Sequence, residues 1–386
     1  MKGATVLMFV MMFLAVSTRA DLRLIDLGPL AFDAEVGAFS AMGINDRGEI
    51  IANGGANGSG INPVAMGASG SSTEETPQAF YYREGAFRSL STNPCTATAI
   101  NNAGQIVGCR WILVTNIGYS SPGGVPAITN VGYAQQPVSF RNGLPVNLFP
   151  GLNYGDAMGV NDSGEIVGSV SLSNVPTHGF ACLNGLTTDL GSGFMATGIN
   201  NLGDIVGQSF TFSSMVHPML YHDGLTEDLG TLGGTDGSAT AINDLGEIIG
   251  WSTTTNADTH AFLYRNGTMT DLGTLGVQTN FPGVSFPSYC SALAINNWGQ
   301  IVGTSTAANG THAFFYWDGS MVDLNGLVKL THLKGPAGFL TLTSAEGIND
   351  SGQIVGEGLY WDRRQESSHA FLLDLRPEPQ TDGHSR

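Results

Sequence analysis

The sequence predicts an all-β protein: a seven-bladed β-propeller with four antiparallel strands per blade, its ring closed by an N-terminal strand that joins the C-terminal blade. Three observations predict it. One phrase, of the form Ala/Gly-Ile/Val-Asn-Asp/Asn-x-Gly followed by an acidic or amide residue and an apolar pair, occurs seven times. A second phrase, fullest as THAFLYRNGTMTDLGTLG from Thr259, alternates with it. Charged residues make up only 12% of the chain and Gly 54 of 386 residues, against roughly 25% and 7% in average proteins. Few charges and many glycines suit short strands joined by tight turns, because Gly adopts positive φ without steric cost.

The first phrase starts at Gly43, Ala99, Gly159, Gly198, Ala241, Ala294 and Gly347, and its turn glycines are spaced 39 to 60 residues apart. It reads as strand, turn, strand. Asn opens a type I turn and Gly closes it in the left-handed region. The second phrase starts at Pro77, Gln136, Thr177, Val216, Thr259 and Thr311, with a truncated copy, SHAFLLDL, from Ser368. Its Asn-Gly, Asp-Gly or Glu-Gly centre is a hairpin signal, and β-branched and aromatic residues fill the flanks. Each unit therefore holds four strands, a to d. In the fullest unit a covers about Ala239 to Asn243, b Glu247 to Trp251, c His260 to Arg265 and d Thr268 to Leu272. Four strands recurring at this period mark a propeller blade. A β-solenoid needs a shorter, stricter period, and a sandwich needs no seven near-copies.

The two ends complement each other. DLRLIDLGPL, from Asp21, is a strand d without a preceding c, and HAFLLDL, from His369, is a strand c without a following d. Leu22 to Leu27 is therefore expected beside His369 to Leu373, which removes an open sheet edge. Residues 1–20 read as a signal peptide: Lys2, an apolar run from Val6 to Val16, then Thr18 and Ala20 before the cut. The run is shorter than the ~20 residues a spanning helix needs. The expected organisation is a signal peptide over 1–20, the propeller over 21–376 and a flexible tail over 377–386. It implies a secreted, extracellular or periplasmic chain, without membrane insertion and monomeric.

The net charge is -17, which repels polyanions and argues against nucleic acid as a partner. The cysteines, Cys95, Cys109, Cys182 and Cys290, show no metal-ligand spacing. Cys95 and Cys109 flank the hairpin of the second unit and are the one local pair, so a disulfide between them is the candidate, against two isolated small apolar thiols.

The phrases resemble the HAF-repeat family of bacterial extracellular proteins. The resemblance rests on His-Ala-Phe-Leu-Tyr at 260–264, Asp-Leu-Gly-Thr-Leu-Gly at 271–276 and Ala-Ile-Asn-Asp-x-Gly-Glu-Ile-Ile-Gly at 241–250, and spans nearly the whole mature chain. It implies an exported repeat protein. Some family members resemble surface-anchored proteins with a C-terminal sorting tail. The ending RPEPQTDGHSR has no apolar segment, which points to release.

His178, His217, His260, His312 and His369 occupy equivalent positions at the head of strand c, where the other two units carry Gln78 and Gln136. Gln replaces His as a hydrogen-bonding group but is a poor metal ligand, so these histidines are read as structural. The Asp of strand d (Asp189, Asp228, Asp271, Asp323) is a plausible partner. The Asn-Asp/Asn turn lacks the dense Asp spacing of a calcium loop, and turn formation accounts for it. It also resembles the Asp-box hairpin of sialidase-like propellers, but lacks that motif's Ser and Trp. No nucleophile elbow, HExxH or P-loop is present. No catalytic residue, metal or cofactor is assigned.

The long insertions, 52–77, 110–136, 274–290 and 325–341, all fall in b–c or d–a connections, which lie on one face of a propeller. They carry aromatics that the repeat does not explain: Trp111, Tyr119, Tyr133, Phe281, Phe286 and Tyr289. Loop aromatics anchor partners or stack on sugars, or else pack the loops down. The functional expectation is a binding module recognising a glycan, peptide or surface partner through this face. The alternative is a propeller-type carbohydrate-active hydrolase or lyase with carboxylates in the central channel.

Overall fold

A computed structural model describes residues 22–28, 39–54, 77–119, 126–141, 144–149, 154–171, 177–210, 215–277, 287–328, 330 and 336–376, with the backbone alone for 113–119 and 126–133. Residues 1–20 and 377–386, and with them the expected signal peptide and tail, lie outside the described residues.

The protein is a seven-bladed β-propeller. Strand β1 (Arg23–Gly28) precedes the first blade, which is β2 (Phe39–Ile44), β3 (Ile50–Gly54), β4 (Gln78–Arg83) and β5 (Ala86–Ser89). Blade 2 is β6 (Cys95–Ile100), β7 (Ile106–Tyr119), β8 (Pro126–Arg141) and β9 (Leu144–Asn147). Blade 3 runs β10 (Tyr154–Val160), β11 (Ile166–Ser171), β12 (His178–Leu183), β13 (Leu186–Ser192). Blade 4 runs β14 (Phe194–Ile199), β15 (Ile205–Phe210), β16 (Val216–His222), β17 (Leu225–Asp228). Blade 5 is β18 (Gly233–Ile242), β19 (Ile248–Thr254), β20 (Thr259–Arg265), β21 (Thr268–Gly273), and blade 6 is β22 (Cys290–Ile295), β23 (Ile301–Ala307), β24 (Gly310–Trp317), β25 (Ser320–Asp323). Blade 7 holds β26 (Gly338–Ile348), β27 (Gln353–Trp361) and β28 (Glu366–Asp374), and β1 adds to β28 as its fourth strand.

That closure is antiparallel, with Leu24 opposite Leu373 and Asp26 opposite Phe371. The chain ends therefore meet in one blade as the complementary half-units require.

The repeat phrases fold as their turn chemistry dictates. The a–b glycines, such as Gly246 at φ 75° and Gly299 at 74°, take the left-handed region. In the c–d turns two successive residues do so, as at Asn266 (52°) and Gly267 (74°), the type I′ geometry that matches strand twist. The Gly ending the first phrase has a different reason. Every a strand bulges at the equivalent place in the phrase, between Ala239 and Ala241 in blade 5 and between Ala345 and Gly347 in blade 7. The bulge brings an a-strand carbonyl so close that a Cβ on Gly250 would lie 2.0 Å from Ser238 O, and one on Gly356 2.0 Å from Ser344 O.

The core lies between blades. Ile249 of blade 5 packs with Ala292, Ile301 and Phe314 of blade 6, and Val355 of blade 7 with Phe39 and Phe80 of blade 1. Each blade buries its faces against two neighbours, so no blade is stable alone and ring closure matters.

One insertion differs from its expected form. The segment 110–136 is not a loop over its whole length. Strands β7 and β8 run on as a paired ribbon from Trp111 opposite Gln135 to Tyr119 opposite Pro126.

Of the two alternatives for Cys95 and Cys109, the structure has the isolated thiols and not the bridge, and all four cysteines are free. Cys95 stands opposite Arg110, and Cys109 opposite Thr96. The offset of one residue sends the two side chains to opposite sheet faces. Cys95 packs with Ala97 and Ile106, whereas Cys109 Sγ lies 3.1 Å from Thr96 Oγ1.

Candidate functional site

The seven a–b turns converge on the ring axis and enclose a cavity of about 220 Å³ at the channel mouth, floored by Ile44, Ile100, Val160, Ile199, Ile242, Ile295 and Ile348. Two circles of hydrogen bonds build its wall. The first Asn of each turn is buried; Asn243, 4% exposed, is typical. Its Nδ2 donates to the backbone carbonyl of the corresponding Asn in the next blade: Asn243 to Asn296 O at 3.1 Å, Asn296 to Asn349 O at 3.1 Å, and across the closure Asn349 to Asn45 O at 2.9 Å. Its Oδ1 accepts from its own turn, from Leu245 N and Glu247 N in blade 5.

The second circle uses the next residue, which alternates as Asp46, Asn102, Asp162, Asn201, Asp244, Asn297 and Asp350. Each backbone N–H donates to Oδ1 of its successor, as Asp46 N to Asn102 Oδ1 at 2.8 Å and Asp350 N to Asp46 Oδ1 at 2.8 Å. Each Asn Nδ2 bridges the carboxylates on either side; Asn102 reaches Asp46 Oδ2 at 2.8 Å and Asp162 Oδ2 at 3.1 Å. Seven is odd, so alternation fails once, where Asp350 of blade 7 meets Asp46 of blade 1. In the sequence, turn formation alone accounts for these residues. The structure adds that every turn is also tied to the next blade, and the Asp/Asn alternation was the readable signal for it.

The histidines meet the Asp residues that the sequence offers as plausible partners. Nδ1 of His178, His217, His260 and His312 lies 3.0, 2.8, 2.9 and 2.7 Å from the carboxylates of Asp189, Asp228, Asp271 and Asp323. A fifth pair, His369 with Asp26 at 2.9 Å, joins the two chain ends. An ionised carboxylate only accepts, so Nδ1–H donates. The same Asp accepts from the backbone two residues on, as Asp271 Oδ1 does from Gly273 N at 2.7 Å. The Asp-Leu-Gly phrase is thus a clasp on the His-Ala-Phe strand. In blade 2 the exchange is complete: Gln136 Oε1 accepts from Asn147 Nδ2 at 2.9 Å, and Asn147 Oδ1 from Phe149 N at 2.8 Å.

Of the six expected ligand-binding aromatics, Trp111 is 5% exposed and stands in strand β7 rather than a loop. Tyr289 is 43% exposed, its backbone paired with Thr259. Tyr119 and Tyr133 lie on the ribbon, with only their backbone described. Phe281 and Phe286 lie outside the described residues.

Two further polar clusters, which the sequence did not suggest, sit at equivalent seams. Between blades 2 and 3, Gln135 Nε2 reaches Asp156 Oδ1 at 2.5 Å and Cys109 Sγ at 3.3 Å. Burial pushes the Asp156 carboxyl up, and burial with Asp156 nearby pushes the Cys109 thiol well up, so this thiol is not a poised nucleophile. In blade 7, Ser344 Oγ donates to Glu346 Oε1 at 2.5 Å and Ser368 Oγ to Glu357. Burial raises both glutamates, and Glu357 adds to the rise at Glu346. Neither glutamate lines the channel-mouth cavity.

An acid raised in the folded state costs stability as pH climbs from its ordinary pKa through the raised one, because the unfolded chain releases its proton first. Glu346→Gln should therefore raise the melting temperature at pH 7.5 by about 3 °C and leave it unchanged near pH 4, as scanning calorimetry at both values would report. A Gln variant less stable at pH 7.5 would show the carboxylate to be required. Asp323 behaves oppositely. Burial opposes ionisation there, but hydrogen bonds from His312 and Asn325 hold the carboxyl below its ordinary value, so its contribution is lost as pH falls.

No protein-family model matches the chain, and no curated protein matches it in sequence. Among solved structures, it is similar to the β-propeller domain of the Trilobed protease from Pyrococcus furiosus, described as having an open velcro topology, with 11% identity and a TM-score of 0.50 over 90% of this chain and 95% of that one. It also matches TolB from Acinetobacter baumannii (12% identity, TM-score 0.41, 88% of this chain) and a puromycin-hydrolysing peptidase of Mycobacterium tuberculosis (12%, 0.44, 94%). The chain spans 64% of the TolB chain and 54% of the peptidase. At these identities the likeness is one of fold. Among the described residues no helix is long and apolar enough to cross a membrane.

Proposed function

We propose that this chain is an exported, monomeric binding propeller of the HAF-repeat kind, which recognises an extracellular glycan, peptide or surface partner on the face that carries its insertions. The observation behind this reading is the β7–β8 ribbon. Its strands are 14 and 16 residues long, whereas their counterparts in blade 3 have 6 each. Propeller closure needs no such extension, and per-repeat insertions gather on binding faces. The exposed ring of Tyr289 lies on the same side. The hydrolase alternative draws no support from Glu346 and Glu357, which are committed to serine partners off the cavity.

The test is a ribbon-trimmed protein in which residues 112–134 are replaced by a two-residue Asn-Gly turn. The intact protein is screened on a glycan array and on bacterial cell-wall fractions. Trimming should weaken whatever binding is found by at least about tenfold, ~1.4 kcal/mol, without lowering the melting temperature. Undiminished binding by the trimmed protein would refute the assignment.

A further inference from the structure

The face opposite the ribbon carries an unexpected set of side chains. At the tips of the a–b turns, three consecutive blades present large apolar residues to solvent: Leu202, Leu245 and Trp298, exposed by 72, 69 and 65%. The turn does not need them. Ala103, Ser163 and Ser351 occupy the same place in blades 2, 3 and 7, and the following glycines keep the same conformation, φ 80°, 86° and 77°. The c–d turns on this face add Leu186 and Leu225 at 78 and 75% exposure. The Trp298 indole donates to Asp350 O at 3.0 Å, which lays the ring against the cavity rim. An exposed apolar arc of this kind marks an interaction surface.

The arc borders the acidic mouth. Asp46, Asp162, Asp244 and Asp350 line the cavity, and no Lys or Arg does. The Oδ2 atoms of Asp162 and Asp244 each accept from two Asn amides, whereas those of Asp46 and Asp350 each accept from one. Acceptor capacity is therefore left at the Asp350–Asp46 seam, beside Trp298. The acidic mouth, bordered by exposed apolar side chains, is complementary to an organic cation with apolar neighbours. We propose that this face docks a peptide segment that places a lysine or arginine side chain in the channel mouth and apolar side chains on the arc. This surface is distinct from the ribbon face and does not depend on it.

The probe is an array of heptapeptides with lysine, arginine, norleucine or glutamate at the centre and apolar or serine flanks, bound to the intact protein. Lysine- and arginine-centred peptides with apolar flanks should be retained, and added salt should weaken them. Norleucine should cost at least about tenfold and glutamate should abolish binding. Trp298→Ser and Leu245→Ser should each weaken the basic peptides about tenfold at an unchanged melting temperature, and an Asp46→Asn/Asp350→Asn protein should bind lysine and norleucine alike. The ribbon-trimmed protein should bind as well as the intact one, which separates this surface from the ribbon. Retention of no peptide, equal retention of all centres, or full binding by the turn-tip variants would overturn the proposal.

Discussion

Deleting residues 21–30 should lower the melting temperature by on the order of 10 °C. Strand β1 packs Leu24 against the cluster of Phe339, Phe371 and Leu373, and Ile25 and Leu27 against that of Phe39 and Val355. Half-buried apolar side chains of this size contribute about 1 kcal/mol each. Removal also strips Asp26 from His369, whose side chain is only 5% exposed, and a buried polar group left without its partner costs about 1–3 kcal/mol. The bare edge of β28 would then offer its backbone to other chains, so aggregation on heating should increase with concentration. Differential scanning calorimetry and light scattering on the purified protein measure both. A control, Asp26→Asn, keeps the strand and should lose only a small part of that stability. An unchanged melt after the deletion would mean that three strands suffice for blade 7.

Why was the closure readable and the channel mouth not? The closure is written in register. One end supplies Asp-Leu-Gly without His-Ala-Phe, the other the reverse, and the His369–Asp26 contact repeats the His–Asp pairing seen in four other blades. Such local pairing follows from strand period and turn chemistry. The mouth is a product of curvature. Asp46 and Asn102 are 56 residues apart, and nothing in either turn announces that its neighbour's carbonyl will arrive at hydrogen-bond distance. Only the Asp/Asn alternation hints at it. The same holds for Gly250, whose lack of a side chain answers a bulge in the opposite strand rather than a turn. The sequence leaves the cysteines undecided for a smaller reason, since one residue of register separates a bridge from two buried thiols on opposite faces. Position in an insertion does not make an aromatic a loop residue, since Trp111 stands in strand β7 and is buried.

The deeper circle of asparagines sets the second large effect. Asn243→Ala removes an acceptor from Leu245 N and Glu247 N and a donor from Glu247 Oε2 and Asn296 O, at 3.1, 2.9, 2.8 and 3.1 Å. The site is 4% exposed, so water does not replace these bonds. Unpaired buried groups cost about 1–3 kcal/mol each, and relaxation of the turn recovers part of this, leaving a loss of about 4 kcal/mol. Asn243→Asp should be worse than Ala at neutral pH. It keeps the acceptor but sets a carboxylate against Glu247 Oε2 and the Asn296 carbonyl, where only a donor fits. Acidification should then narrow the gap between Asp and Ala, because a protonated Asp regains a donor. The damage should also spread. Each Asn is held by the preceding turn and holds the next, so amide exchange should quicken at Asn296 and Asp244 as well as within blade 5. Denaturant melts of the two variants at pH 7 and pH 4, with exchange rates at those amides, measure the prediction. Equal stability of Asn, Ala and Asp at this position would show that side-chain burial between blades, not the circle of amides, holds the seven turns together.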